Sequence, residues 1–570
     1  MNDSAVQNRV ADLPRWVCRQ GDCEVYKGHV VDVLGREVFD GEVVVKDGII
    51  ADIRRCEATV EAKHASHCNS ADKTTALPYL LPGFIDSHVH IESSLLVPSQ
   101  YARMAVRHGT IGVVTDPHEI ANVLGVEGVE YMIDESRQAL FNFNFGAPSC
   151  VPCCGAGIET AGATIDAEAI ERLLARDDIG FLSEMMNYPG VLLAHEEVMR
   201  KIAAAHRVGK PVDGHAPGLL GDDRRRYAAA GISTDHECST LQEGLSCIEN
   251  GMMVLIREGS AAKDYAQLIP LLAKYPSEVM FCTDDHAPED LVHGHINLIV
   301  RRAMAEGYNV WNILRAASVN PQRHYGLRWG LLQVGDPATF IAVSSMEPDF
   351  EILQTVIGGR QAYPCGNATA HNDACPNRFE AAPLTLNDIR TERGTTEHII
   401  CASDGSLYTR HEIATQSQPY PWHEVQKMVV LNRYQRGIKP AVGWIRGFDL
   451  HGGAIAASVA HDCHNIVGIG SDDEMLLRAI NRVVEMKGGE VVVCGNEMAE
   501  LPLPVAGLMS PLDGHEVARR CEQIADLVRR AGCTMRAPFI TMPLMCLPVI
   551  PEIKLTDRHL WDSLHMQVIQ

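Results

Sequence analysis

Residues 81–96 read "LPGFIDSHVHIESSLL", with two imidazoles, His88 and His90, at the end of an apolar run. A strand repeats every two residues, so the pair share a face with Asp86 behind them and Glu92 ahead. Leaving such groups buried without partners costs roughly 1 to 3 kcal/mol each, so they must be paired or must coordinate a cation. Similar endings recur along the chain: "TDPHE" brings Asp116, His118 and Glu119, "SEMMNYPG" brings Glu184, and "DGHAPG" brings Asp213 and His215. "STDHECS" adds His236 and Glu237, and "CTDDHAP" adds Asp284 and Asp285, while "APSCVP" and "REGSA" end two further runs. Imidazole nitrogens and carboxylate oxygens in such numbers suit two divalent cations, with an anionic oxygen placed between them.

The elements that carry these endings alternate. Apolar strand-like runs begin near Pro82, Thr110, Asn142, Ile179, Pro211, Ile232, Met252 and Val279, each followed by a helix-compatible segment. "DAEAIERLLARD" from Asp166, "HEEVMRKIAAAHRVG" from His195 and "AAKDYAQLIPLLAKY" from Ala261 all have apolar residues at helical spacing. Eight βα units predict an α/β fold, a (β/α)8 TIM-type barrel whose chemistry sits at the C-terminal strand ends. β-rich runs over residues 28–53 and 330–363 flank it, predicting a small β-sandwich into which the barrel is inserted. The expected boundaries are 1–80 and 329–366 for the sandwich, 81–328 for the barrel, and 367–570 for a C-terminal α+β domain that opens on a loop-rich stretch. Within that domain the pattern predicts strands around His461, Asp462 and His464, which read as a satisfied interior polar cluster, the alternatives being a lid packed over the barrel mouth or an extra metal site.

A net charge of -23 argues against nucleic acid or anionic membrane as the main partner. The apolar share of 46% is that of a globular protein, and no run of 18 apolar residues occurs. Eighteen cysteines in 570 residues fall short of disulfide-scaffold density, and no signal-peptide pattern opens the chain. The expectation is a reduced cytoplasmic protein, a homodimer, acting on a small molecule. Cys150, Cys153 and Cys154 lack a second ligand pair nearby and are read as structural. His293 and His295 fall at the start of a helix, where residues two apart point about 200° from one another, and are read as loop or cap residues.

With "PGFID" before the His-x-His, single histidines at the fifth and sixth strands and an aspartate at the eighth, the chain resembles the amidohydrolase superfamily of metal-dependent hydrolases. More narrowly, "HIESS", "DPHEIANV", "SCVP", "EMMNYPGV", "DGHAPGL", "IREGSAA", "CTDD" and "SVAHDCHNI" resemble the bacterial adenine deaminase family over nearly the whole chain. The resemblance implies a small-molecule substrate, adenine, converted to hypoxanthine and ammonia by metal-activated hydroxide attacking C6. It implies two divalent metal ions, Mn(II) or Fe(II) rather than Zn(II). His88 and His90 would hold one, His215 and His236 the other, with Glu184 bridging where many relatives carry a modified lysine. Asp284 would complete the first site and move the proton; Glu184 and His236 are the other catalytic candidates. Asp116, His118, Glu119, Glu92 and Asp285 are expected to touch substrate or steady the ligands. For Asp116, His118 and Glu119 the alternative is a proline-stiffened turn capping the next helix. His286 stands where relatives often carry arginine, and is expected to alter the charge beside the substrate. A cyclic-amide hydrolase of the dihydroorotase or hydantoinase type and a non-catalytic metal-binding scaffold are the rival readings. The missing strand-four lysine argues against the first, and the intact ligand set against the second.

Overall fold

The computed structural model describes residues 14–56, 76–154, 157–260, 262–364, 374–404, 406 and 408–569. The start of the loop-rich stretch expected after the sandwich, residues 365–373, lies outside the described residues, as do Ala261 of the predicted helix and the first 13 residues.

Eight parallel strands form the barrel: β1 (Phe84–His90), β2 (Thr110–Thr115), β3 (Asn142–Ala147), β4 (Ile179–Met185), β5 (Val212–Gly214), β6 (Thr234–Asp235), β7 (Met253–Arg257) and β8 (Val279–Cys282). Strands β1 to β5 pair in series, as do β6 to β8. Two seams close the ring. The Ser233 N–H donates to Val212 O at 2.9 Å between β5 and β6. At the other seam Asp86 accepts from the Thr283 N–H at 3.0 Å, and Asp284 and Asp285 pair with Val89 and His90. Asp86, read as lying behind the histidines, therefore joins the last strand to the first. Val114, Phe181, Leu255 and Met280, from β2, β4, β7 and β8, fill the interior with Tyr325. They make it a packed floor with the polar strand ends above.

Asp166 caps the helix Ala167–Leu174, its side chain accepting from the Ala169 N–H, and Glu196–Arg207 follows β4 as expected. The third expected helix is broken into Tyr265–Leu268 and Leu271–Lys274. Pro270 lies at the break, where it has no N–H to continue the ladder.

The flanking β-rich segments join in a single sheet. Tyr79–Leu81 lies between Cys23–Asp32 and Phe340–Val343, and so ties the two segments together. The sheet curls until Ile50 exchanges hydrogen bonds with Gly335 and Asp336. Val30, Val43, Leu80, Phe340 and Val356 fill the space enclosed. The C-terminal domain holds an eight-stranded sheet running in order from Arg410–Thr415 to Glu497–Pro502, with helices Asp473–Met486 and Gly514–Arg530 packed on it. Strands Gly453–Ala457 and Ile466–Gly470 flank His461, Asp462 and His464, which occupy the connection between them and not a strand. The alternation continued through the connection because Val459, Ala460 and Cys463 are apolar, although the strand hydrogen bonds stop at Ala457.

Two buried histidines outside the strand-end cluster tie stability to pH. Burial lowers both His108 and His324 to about 4, and their ring nitrogens meet Leu291 O at 2.7 Å and Ser233 Oγ at 3.2 Å. In the unfolded chain each titrates near 6.5, so between these values the unfolded state binds more protons. Their contribution is full above about pH 6.5 and is lost as the pH falls toward 4. The urea midpoint is expected to fall between pH 7 and pH 5, and His324→Gln to flatten that dependence. An unaltered slope in the variant would contradict this.

Candidate metal centre and substrate pocket

The strand ends converge above the packed floor. Glu184, last but one on β4, sits at the middle, and its two oxygens face different histidines. Oε1 lies 3.3 Å from His90 Nε2, 3.4 Å from His118 Nδ1 and 4.0 Å from His88 Nε2. Oε2 lies 2.5 Å from His215 Nδ1 and 3.3 Å from His236 Nε2. Asp284 completes the first group, with Oδ1 3.1 Å from His90 Nε2 and 3.6 Å from His88 Nε2. The chain delivers Asp284 in the left-handed region, φ 57°, one residue beyond the Thr283 contact with Asp86. Aspartate tolerates that conformation better than most residues. At β5, the hydrogen atom of Gly214 matters: a Cβ there would meet Thr234 O at 2.3 Å, so the backbone before His215 can press against β6 only without a side chain.

The geometry fits divalent cations. The His90 Nδ1–H donates to Asp116 O at 3.0 Å, which leaves the Nε2 lone pair facing His88 Nε2 at 3.3 Å and two carboxylate oxygens. Lone pairs converging in a buried space need positive charge between them. Burial opposes charge on His236, yet hydrogen bonding to Glu184 raises it to about 9. Among the described residues, groupings of ligand atoms close enough to hold an ion include His88, His90 and Asp284; His88, Glu184 and His236; His90, Asp116, His118 and Glu184; and His215, His236 and Glu237.

All six residues expected to bind metal are therefore brought together. Of the supporting residues, His118, Glu119 and Asp285 border the pocket. Asp116 stands behind, with Oδ2 3.2 Å from His118 Nδ1. Glu92 accepts from the Ile120 N–H at 3.1 Å in the helix His118–Leu124, so it fixes the start of that helix, and burial raises it to about 7. Asp285 accepts from Ser93 Oγ at 2.5 Å. His286 departs from expectation. It is buried away from the pocket with Nε2 3.2 Å from Gly294 O, and burial and His295 lower it to about 4, so it adds no charge beside the substrate. His295 stands at the N-cap position of the helix Ile296–Ala305 without a side-chain capping bond, and its ring meets Asp86, Thr110 and Tyr101 in an interior polar network. Cys153 approaches Glu159 at 3.7 Å, while Cys150 turns toward Met185 at 4.0 Å.

Arg257 and Glu237 were not singled out as site residues, although both lie at strand ends where polar residues signal function. The Arg257 guanidinium bonds Glu237, Asp284 Oδ2 at 2.7 Å and Asp264 at 2.9 Å. It neutralises carboxylates that would otherwise repel one another in a buried space. Arg257→Met is expected to lower the stability of the metal-free protein by about 3–5 kcal/mol. A melting temperature equal to that of the parent would show that the pairs carry no net stabilisation.

The C-terminal domain reaches into this site. His461 Nδ1 meets Glu119 Oε1 at 2.6 Å, and His464 Nε2 bonds the other oxygen. Burial alone would raise Glu119, but His461 and His464 hold it well below the usual carboxylate range. Leu544, Leu547, Val549 and Ile550 add an apolar wall, so the pocket lies between barrel and C-terminal domain.

Comparison with known proteins agrees with both parts. Residues 79–362 match the amidohydrolase family, and residues 406–567 the adenine deaminase C-terminal domain. A protein named adenine deaminase from Salinibacter ruber is 47% identical over 546 residues, 94% of this chain and 96% of its own. One of the same name from Sulfurovum sp. is 46% identical over 542 residues, 94% and 97% of the two chains. Another, from Methanosarcina barkeri, is 43% identical over 565 residues, 96% and 99%. On that full-length likeness, and with its strand-end histidines and carboxylates gathered around Glu184, the chain belongs to the adenine deaminase family of amidohydrolases.

Proposed function

We propose that this chain hydrolyses adenine to hypoxanthine and ammonia, using two divalent cations, Mn(II) or Fe(II) in preference to Zn(II). The observation that carries the reading is the Glu184 carboxylate, one oxygen turned to His90 and the other to His215 and His236, beneath a pocket with one apolar wall. In this reading His88, His90 and Asp284 would hold one cation and His215 and His236 the other, with Glu184 placed to serve either side. Bound cations would supply a water whose pKa is lowered from 15.7 toward about 7.

The rest falls to the chain. Asp284, oriented through Oδ2 by Arg257, takes the proton of the attacking water and delivers it to the departing amino nitrogen. The C6–O bond forms first, across the C6–N1 double bond, to give a tetrahedral carbon, and the C6–N6 bond breaks only once the amino nitrogen has received its proton. The second water proton ends on N1, with His118 and Glu119 the pocket residues placed to pass it. The apolar wall holds the flat ring and excludes bulk water, which strengthens each of these electrostatic contacts.

The test is an ultraviolet assay on adenine with protein expressed in added manganese. Conversion to hypoxanthine is expected, and an unchanged spectrum from protein with metal bound would refute the reading. The reading extends to a cytoplasmic homodimer. Among the described residues no helix is long and apolar enough to cross a membrane.

A further inference from the structure

The turn between the C-terminal strands Gly453–Ala457 and Ile466–Gly470 contributes three polar side chains, of which two are already engaged. His461 and His464 both bond Glu119. Asp462 lies between them in sequence, borders the pocket, and is only 3% exposed. Its Oδ2 is buried and has no hydrogen-bond partner. A buried carboxylate oxygen left in that state is destabilising unless something fills the pocket and donates to it. An ionised carboxylate accepts only, so the partner must bring an N–H or O–H.

We propose that Asp462 is a specificity-determining residue that accepts a hydrogen bond from the imidazole-ring N–H of a free purine base. This rests on the reading above, in which C6 and its amino group face Glu184 and Asp284 at the barrel end. The wall supplied by the C-terminal domain then meets the opposite edge of the base. In free adenine that edge carries N9–H; a nucleoside or N9-alkyl purine has no hydrogen there and leaves Asp462 unsatisfied. A site built to hydrogen-bond such a group rejects analogues that lack it far more strongly than an apolar pocket rejects a change of size.

The experiment compares kcat/KM for adenine and 9-methyladenine in the metal-loaded full-length protein and in Asp462→Asn. The parent is expected to prefer adenine by about 100-fold or more. The variant, with metal content unchanged, is expected to lose about 30-fold on adenine and little on 9-methyladenine, so that its preference shrinks by the same factor. Equal preference in parent and variant overturns the proposal, as does a parent that uses both substrates equally well. If Asp462→Asn fails to fold, inhibition of the parent by purine and by 9-methylpurine decides the matter. Purine is expected to bind about 30-fold more tightly, and equal binding overturns the proposal. A parent inactive on adenine would count against the proposed reaction, while binding of the two purines would still report on Asp462.

Discussion

Glutamine in place of Glu184 is expected to leave the purified protein with little of its divalent metal and to lower kcat/KM for adenine by about 10³-fold or more. The reason is the division of its carboxylate. Oε1 serves the His90 side and Oε2 the His215 and His236 side, at 2.5–3.3 Å. A glutamine amide has one oxygen, so whichever way it lies, an N–H is turned toward one of the two groups and a negative charge is lost from both. Metal analysis of the purified variant, alongside the adenine assay, checks both parts. A variant that keeps its full metal content and rate would remove Glu184 from the position proposed for it.

Asp284→Asn is expected to behave differently, keeping much of the metal while kcat falls by about 10² to 10⁴-fold. His88, His90 and Glu184 remain to hold the ion, and asparagine accepts the left-handed backbone, φ 57°, that Asp284 adopts. The asparagine amide can still occupy the space between His90 and Arg257, but it cannot take and release a proton at neutral pH. Metal analysis and kcat, measured on the same preparation, separate the two residues. Metal loss as severe as in Glu184→Gln would make Asp284 chiefly a ligand, and a wild-type rate would exclude it from proton transfer.

The barrel and most of the polar residues gathered at its strand ends were legible because each signal was local. An apolar run ending in histidine or carboxylate marks both a strand and the end at which it meets solvent, and the eight observed strands begin within two residues of the starts read from sequence. Pro270 was a visible breaker within the third helix, yet the apolar spacing on either side of it hid the break. Arg257 opens the "REGSA" ending, which reads in the sequence only as the end of a strand. Its role appears only when Glu237, Asp264 and Asp284 are seen around it. His286 failed for the opposite reason. Its neighbours in sequence face the pocket, while its own ring turns to Gly294. Nothing local announced that His461 and His464 would meet Glu119, because the partners lie 342 and 345 residues apart. The same separation hid the orphaned oxygen of Asp462.

The apolar wall at Leu544, Leu547, Val549 and Ile550 belongs to a different stretch of chain from every residue around Glu184. In the proposed reading, reactivity and choice of substrate are thus written in separate halves of the sequence, and Glu119 joins the two through His461 and His464. A barrel severed from its partner domain would keep the full set of ligand atoms while losing the roof over them. Such a fragment would be a metal-binding protein with an open bowl, able to activate water but with no chamber in which to hold a flat base against it.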